Sequence, residues 1–127
     1  MASSDRKELI NRYIDAYNAF DIDGMVALLS PAVRFENFSG GQLTAEANGI
    51  DEFRQLAEHG KALFAEREQR IVSIESDSDS TIVDITYRGI LAKDIPNGPL
   101  AGTVLELQGK SEFRFSGGKI SKIVDCS

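Results

Sequence analysis

Three polar side chains interrupt apolar stripes in this sequence: Tyr13 in INRYIDAY, Asn37 in VRFENF and Ser111 in LELQGKSEFRF. Successive side chains of a strand alternate between faces, so Val33, Phe35 and Asn37 share one face, as do Leu105, Leu107, Gly109, Ser111, Phe113 and Phe115. On a helix, Ile10, Tyr13, Ile14 and Tyr17 recur at the spacing of a buried stripe. A phenol, an amide and a hydroxyl gathered in an apolar cavity would form a hydrogen-bonding set suited to a carbonyl, enol or phenol oxygen. Tyr17, Phe20, Phe35, Phe53, Leu56, Phe64 and Phe113 would supply the apolar walls that bind the ligand. The same three polar groups also fit a structural role, with Tyr13 bonded to a backbone carbonyl and Asn37 and Ser111 satisfying strand ends or a buried water. Both roles are open at this point.

Other chemistries find little support. His59 is the single histidine and falls beside the apolar stripe of its helix, which makes it a surface residue. With one histidine and one cysteine, Cys126, two residues from the end, neither a zinc site nor an internal disulfide is expected, and no cofactor is implied. No GxSxG elbow, GxGxxG turn or phosphate loop occurs. Glu36, Glu106 and Glu112 alternate outward with other charges. No aspartate, glutamate or histidine falls on a clearly inward position, which favours a ligand-binding module over an enzyme. An enzyme would need Tyr17, His59 or a water as its base.

The formal net charge of −6 and a sequence pI near 4.8 argue against nucleic acid and anionic membrane as partners. No apolar run approaches the roughly 18 residues of a membrane span, and MASSDRKEL lacks the apolar core of a secretory signal. A cytoplasmic location is the expectation. At 127 residues the chain suits one domain, residues 1–127.

The elements that must position these groups follow from periodicity. Ser4 caps a first helix through Phe20; Asp21 caps a second, through DIDGMVALLS, which Pro31 stops. VRFENF is a first strand, Gly40-Gly41 a turn, and the residues to Gly49 a short strand. A third helix runs from Ile50 to Ala65. Period two then takes over in EREQRIVSIESD, STIVDITYRGILA, TVLELQGKSEFRF and KISKIVDC. KDIPNGPLAG, residues 92–102 with their flank, is a loop long enough to overhang a cavity. The fold expected is α+β: a curved antiparallel sheet wrapped around three helices of the N-terminal half, a cystatin-like roll with a cone-shaped cavity.

In NRYIDAYNAFDIDGMVALLSPAVRFEN and in EFRFSGGKI the chain resembles the nuclear-transport-factor-two-like superfamily, in its ketosteroid isomerase and SnoaL-like cyclase branch. The resemblance covers nearly the whole chain. It implies that Tyr13 matches the isomerase oxyanion donor, that Asn37 stands where the general-base aspartate would be, with Glu36 before it, and that Ser111 stands where a protonated aspartate would be; the isomerase is itself a standard illustration of that carboxyl chemistry. An amide has no lone pair basic enough to take a proton from carbon, so ketosteroid isomerisation by the family mechanism is not expected. The resemblance implies instead an isomerase, cyclase or dehydratase acting on a small apolar molecule with an enolisable carbonyl, or a non-catalytic binding module of the same fold. It further implies a homodimer through the outer sheet face, where Asp84, Thr86, Arg88, Glu106, Gln108, Lys110 and Arg114 lie.

Overall fold

The computed structural model describes residues 3–127. Its elements run in the order α1 (Ser3–Asn18), α2 (Ile22–Val26), β1 (Leu29–Ser39), β2 (Gln42–Asn48), α3 (Gly49–Leu63), β3 (Phe64–Ser76), β4 (Ser80–Leu91), β5 (Val104–Ser116) and β6 (Lys119–Cys126). The six strands form one curved, unclosed sheet in the order β2-β1-β6-β5-β4-β3, with the three helices against it, so the architecture is α+β. All neighbouring strands are antiparallel except β1 and β6, which are parallel. The antiparallel meander expected from the sequence is thus joined by a single parallel seam to the hairpin β1–β2. Alternation within one strand carries no information about the direction of its neighbour, so the seam was invisible in the pattern.

The N-terminal boundaries shift from expectation. Helix α1 already contains Ser4, and α2 is a single turn held by its cap, with the Gly24 backbone N–H donating to Asp21 Oδ1 at 2.9 Å. Leu29 and Pro31 belong to β1. Pro31 sits ahead of the regular β1 ladder, which pairs from Arg34 onward, and there its missing N–H costs no ladder bond. The turn at Gly40 and Gly41 has φ of 58° and 81°, and that at Gly117 and Gly118 has 58° and 77°, a region that glycine adopts at no steric cost.

The core fills the space between the helical stripes and the concave face of the sheet. Ile10, Tyr13 and Ile14 of α1 and Phe53 of α3 pack on Val33, Val83, Phe113, Ile120 and Ile123. The outer face is a lattice of ion pairs, including Arg34 with Glu36 and Glu46, Lys122 with Glu36, and Arg114 with Glu112. No helix among the described residues is long and apolar enough to cross a membrane.

Candidate functional site

The concave face and the helices enclose a cavity of about 450 Å³, within the ordinary size for a small-molecule site. Register explains its polar end. Asn37 of β1 pairs with Asp125 of β6 across the parallel seam, and Ser111 of β5 pairs with Asp125 from the other side. Paired residues point to the same face, so the three form one inward row across three strands. The adjacent inward row is apolar: Phe35, Ile123 and Phe113 in the same register. Tyr13 is seated on that apolar row, edge-on to Phe113 with centroids 5.8 Å apart and 6.5 Å from Phe53, which in turn meets Phe35 at 5.8 Å.

Asp125 corrects the expectation that no acid faces inward. It lines the cavity, and Ser111 donates its hydroxyl to Asp125 Oδ1 at 2.5 Å. Burial raises its pKa from 3.8 to about 6, and the hydrogen bond from Ser111 opposes that rise. The sequence signal was present: with Ile123 inward in KIVDC, the period of two puts Asp125 inward as well. The run from Ile120 to Ile123 breaks the period, and β6 accommodates it by a register shift opposite Arg114 and Phe115.

Tyr13 is 5% exposed and lines the cavity. Its hydroxyl bonds no described residue, so the expected alternative, a bond to a backbone carbonyl, is not what the structure contains. Burial, the charge of Asp125 and the neighbouring Tyr17 hold its pKa well above the ordinary value, with Arg67 partly offsetting them, so it is a phenol that donates. Asn37 is half-buried at the same end. Its Nδ2 donates to Thr44 Oγ1 at 2.8 Å, and that hydroxyl donates to the Asn37 carbonyl at 3.1 Å, which ties the amide to β2.

The expected walls divide. Tyr17, Phe35, Phe53, Leu56 and Phe64 line the cavity; Phe113 and Phe20 do not. Phe113 is 1% exposed and lies behind Tyr13 in the core, because the row that carries it packs under α1. Phe20 turns away at φ 57° just past α1 and lies under the Arg67 guanidinium, 4.5 Å from its centroid. His59 is exposed, on the rim. The loop of residues 92–102 contributes no lining residue. It is bonded to itself, with Ala101 N–H to Asp94 Oδ1 at 2.7 Å and Ile95 N–H to the Pro99 carbonyl at 2.9 Å, and therefore does not overhang the cavity.

Arg67 and Tyr87 were missed at the other end. Anchoring the period of β3 on Ile71 places Gln69 and Arg67 inward, and all three residues of that end, Gln69, Arg67 and Tyr87, reach the cavity. Arg67 is 7% exposed, with Nε donating to the Tyr17 carbonyl at 3.1 Å and its guanidinium 3.7 Å from the Tyr17 ring centroid. The Tyr17 hydroxyl meets that of Tyr87 at 3.3 Å, and burial raises the Tyr87 pKa. Among the described residues no three His, Cys, Asp or Glu side chains converge as a metal site.

Comparison with known proteins agrees with this fold. Residues 10–123 match the model of the SnoaL-like domain. Among solved structures, the chain is similar to a proposed polyketide cyclase from Xanthomonas campestris pv. campestris (TM-score 0.83, 18% identity, 98% of this chain and 90% of that one). It is also similar to AclR, a proposed hydroxylase from Streptomyces galilaeus (0.78, 21%, 98% and 89%). A third is a ketosteroid isomerase-like fold from Catenulispora acidiphila DSM 44928 in complex with trimethylamine (0.77, 15%, 93% and 83%). No curated protein sequence matches the chain. At such identities the structural likeness concerns the fold.

Proposed function

The chain belongs to the SnoaL-like domain family, and from that premise we propose that its cavity takes a small apolar molecule with an enolisable carbonyl and moves a proton at the carbon beside it, as an isomerase or cyclase. The observation that carries this reading is Asp125, a cavity carboxyl bonded to Ser111 with its pKa raised to about 6. A carboxylate with that pKa is ionised at neutral pH yet more basic than an exposed one, which suits a general base. It supplies on β6 the basic group that Asn37 cannot supply on β1.

In the proposed step the Asp125 carboxylate takes the proton from the α-carbon, the C–H electron pair forms the enolate, and the charge falls on the carbonyl oxygen. Tyr13, whose pKa is held high, donates a hydrogen bond to that oxygen. Ser111 fixes the orientation of the carboxyl, and Asn37 positions the neighbouring part of the ligand. The enolate carbon then attacks a second carbonyl of the same molecule, whose developing alkoxide takes the proton back from Asp125, or, where a double bond is conjugated with the enolate, the far carbon of the dienolate takes that proton instead, so no co-reactant is needed. Small-molecule binding by this fold, as in the trimethylamine complex, supports the cavity as a ligand site. The mixed-charge outer sheet face is the surface proposed for a homodimer.

The test is α-proton exchange of 2-tetralone in D2O followed by proton NMR. The wild-type chain is expected to accelerate exchange over buffer, and Asp125→Asn to lose that acceleration by about 100-fold or more. Binding without acceleration would instead make the chain a non-catalytic ligand carrier.

A further inference from the structure

Among the described residues the cavity holds one buried cation, Arg67, and no carboxylate of theirs forms an ion pair with it. Three features hold the guanidinium in place: the Tyr17 carbonyl accepts from Nε at 3.1 Å, the Tyr17 ring lies 3.7 Å from Cζ, and the Phe20 ring lies 4.5 Å from it. These supply partial negative charge. The carbonyl belongs to the last turn of α1, the negative end of the helix dipole, and the two ring faces add cation–π attraction. None supplies a full counter-charge. Nε–H is occupied, whereas the two terminal amino groups, with four N–H donors in a planar fork, bond no described residue. A buried charge is normally paired, because desolvation is otherwise uncompensated. Arg67 lines the cavity, and its unbonded terminal nitrogens are not enclosed by protein.

Register sets the position of this cation relative to Asp125. Arg67 pairs with Gly89 of β4, and Gly89 with Leu105 of β5; six residues further along β5 stands Ser111, bonded to Asp125. Six residues correspond to about 20 Å of strand, shortened in space by the sheet's curvature and by the reach of the arginine. Between the two ends the lining includes Leu56, Ile85 and Leu107. The cavity is therefore apolar in its middle, with a base and a phenol at one end and a cationic fork at the other.

We infer that the ligand of this cavity is an apolar carboxylic acid whose carboxylate docks on the Arg67 fork, which directs its other end toward Tyr13 and Asp125. The planar fork matches a carboxylate with two parallel N–H···O bonds. Arg67 is on this account a specificity residue for the proposed site, and the inference rests on that reading only in taking the cavity as the place where the ligand binds.

The test compares 2-naphthoate with 2-naphthamide, which has nearly the same shape and no charge, by calorimetric titration of the wild-type chain, Arg67→Met and Arg67→Lys. Naphthoate is expected to bind the wild type at least tenfold tighter than naphthamide. In Arg67→Met that preference should vanish. Should Arg67→Met lose its circular dichroism spectrum, Arg67→Lys decides: a point charge replacing the fork should cut the preference several-fold. Equal binding of acid and amide by the wild type, binding of neither, or a preference unchanged in either variant would overturn the inference. Tetralone exchange reads Asp125 independently, so a chain that prefers the acid through Arg67 but exchanges no proton would refute the catalytic reading alone.

Discussion

Replacing Asp125 by Asn should stabilise the protein, and do so only above the acid range. Desolvation in the cavity pushes the pKa of this half-buried carboxyl up to about 6 in the folded chain against an ordinary 3.8, so the folded state binds its proton more tightly than the unfolded state. For a group whose folded pKa is raised, stability falls as pH rises between the two values and stays lost above the higher one. The gap corresponds to roughly 3 kcal/mol at 1.36 kcal/mol per pH unit, and partial access of water to the cavity reduces it to about 1–3 kcal/mol. Asparagine keeps the shape and an acceptor for the Ser111 hydroxyl, and removes the charge. Urea unfolding of both chains between pH 4 and pH 8 checks this. Asp77, Asp84 and Glu36 have pKa values lowered by their hydrogen bonds and contribute the opposite slope, with stability lost as pH falls, but both chains share them and their effect cancels in the difference. The advantage of Asp125→Asn should grow by about 1–3 kcal/mol from pH 4 to pH 8. A difference that is flat across this range would mean that Asp125 ionises like a solvent-exposed carboxylate, and the basis for assigning it as the base would be gone.

Further outcomes follow from the same geometry. Tyr13→Phe should weaken binding of 2-naphthol by about 1–3 kcal/mol in calorimetric titration, the cost of removing one buried hydrogen-bond donor. Phe113→Ala should lower unfolding stability by about 3–5 kcal/mol, since Phe113 is 1% exposed and supports the inward row and Tyr13 together. Gly109→Ala should cost about 1–3 kcal/mol in urea unfolding, because its Cβ would come within 2.6 Å of the Cys126 carbonyl, which is backbone and cannot move aside; Asp125 lies next to that residue, so cavity binding should weaken as well.

The helices and most strand boundaries were legible because their apolar spacing changes cleanly from 3.6 to 2 after α3. Asn37 and Ser111 were likewise legible as polar interruptions of inward faces. What joins them was not. Asp125 stands beside both only because β6 inserts between β1 and β5, one neighbour parallel and one antiparallel, and pairing across such distances leaves no trace in local periodicity. Arg67 was hidden for a different reason. In EREQRIV every residue before Ile71 is polar, so the stretch reads as a solvated face until the period is anchored on Ile71. Phe20 and Phe113 were assigned to the wall because aromatic residues at inward spacing fit either a core or a cavity, and only packing separates the two.

The most direct measurement is a carbon-13 NMR titration of the side-chain carboxyl of Asp125, assigned by its absence in Asp125→Asn and repeated in Ser111→Ala. A midpoint near 6 is expected in the wild type and a higher one in Ser111→Ala, where the bond that favours the carboxylate is removed. A midpoint near 4, unmoved by loss of the Ser111 hydroxyl, would contradict the reading of Asp125 as the base.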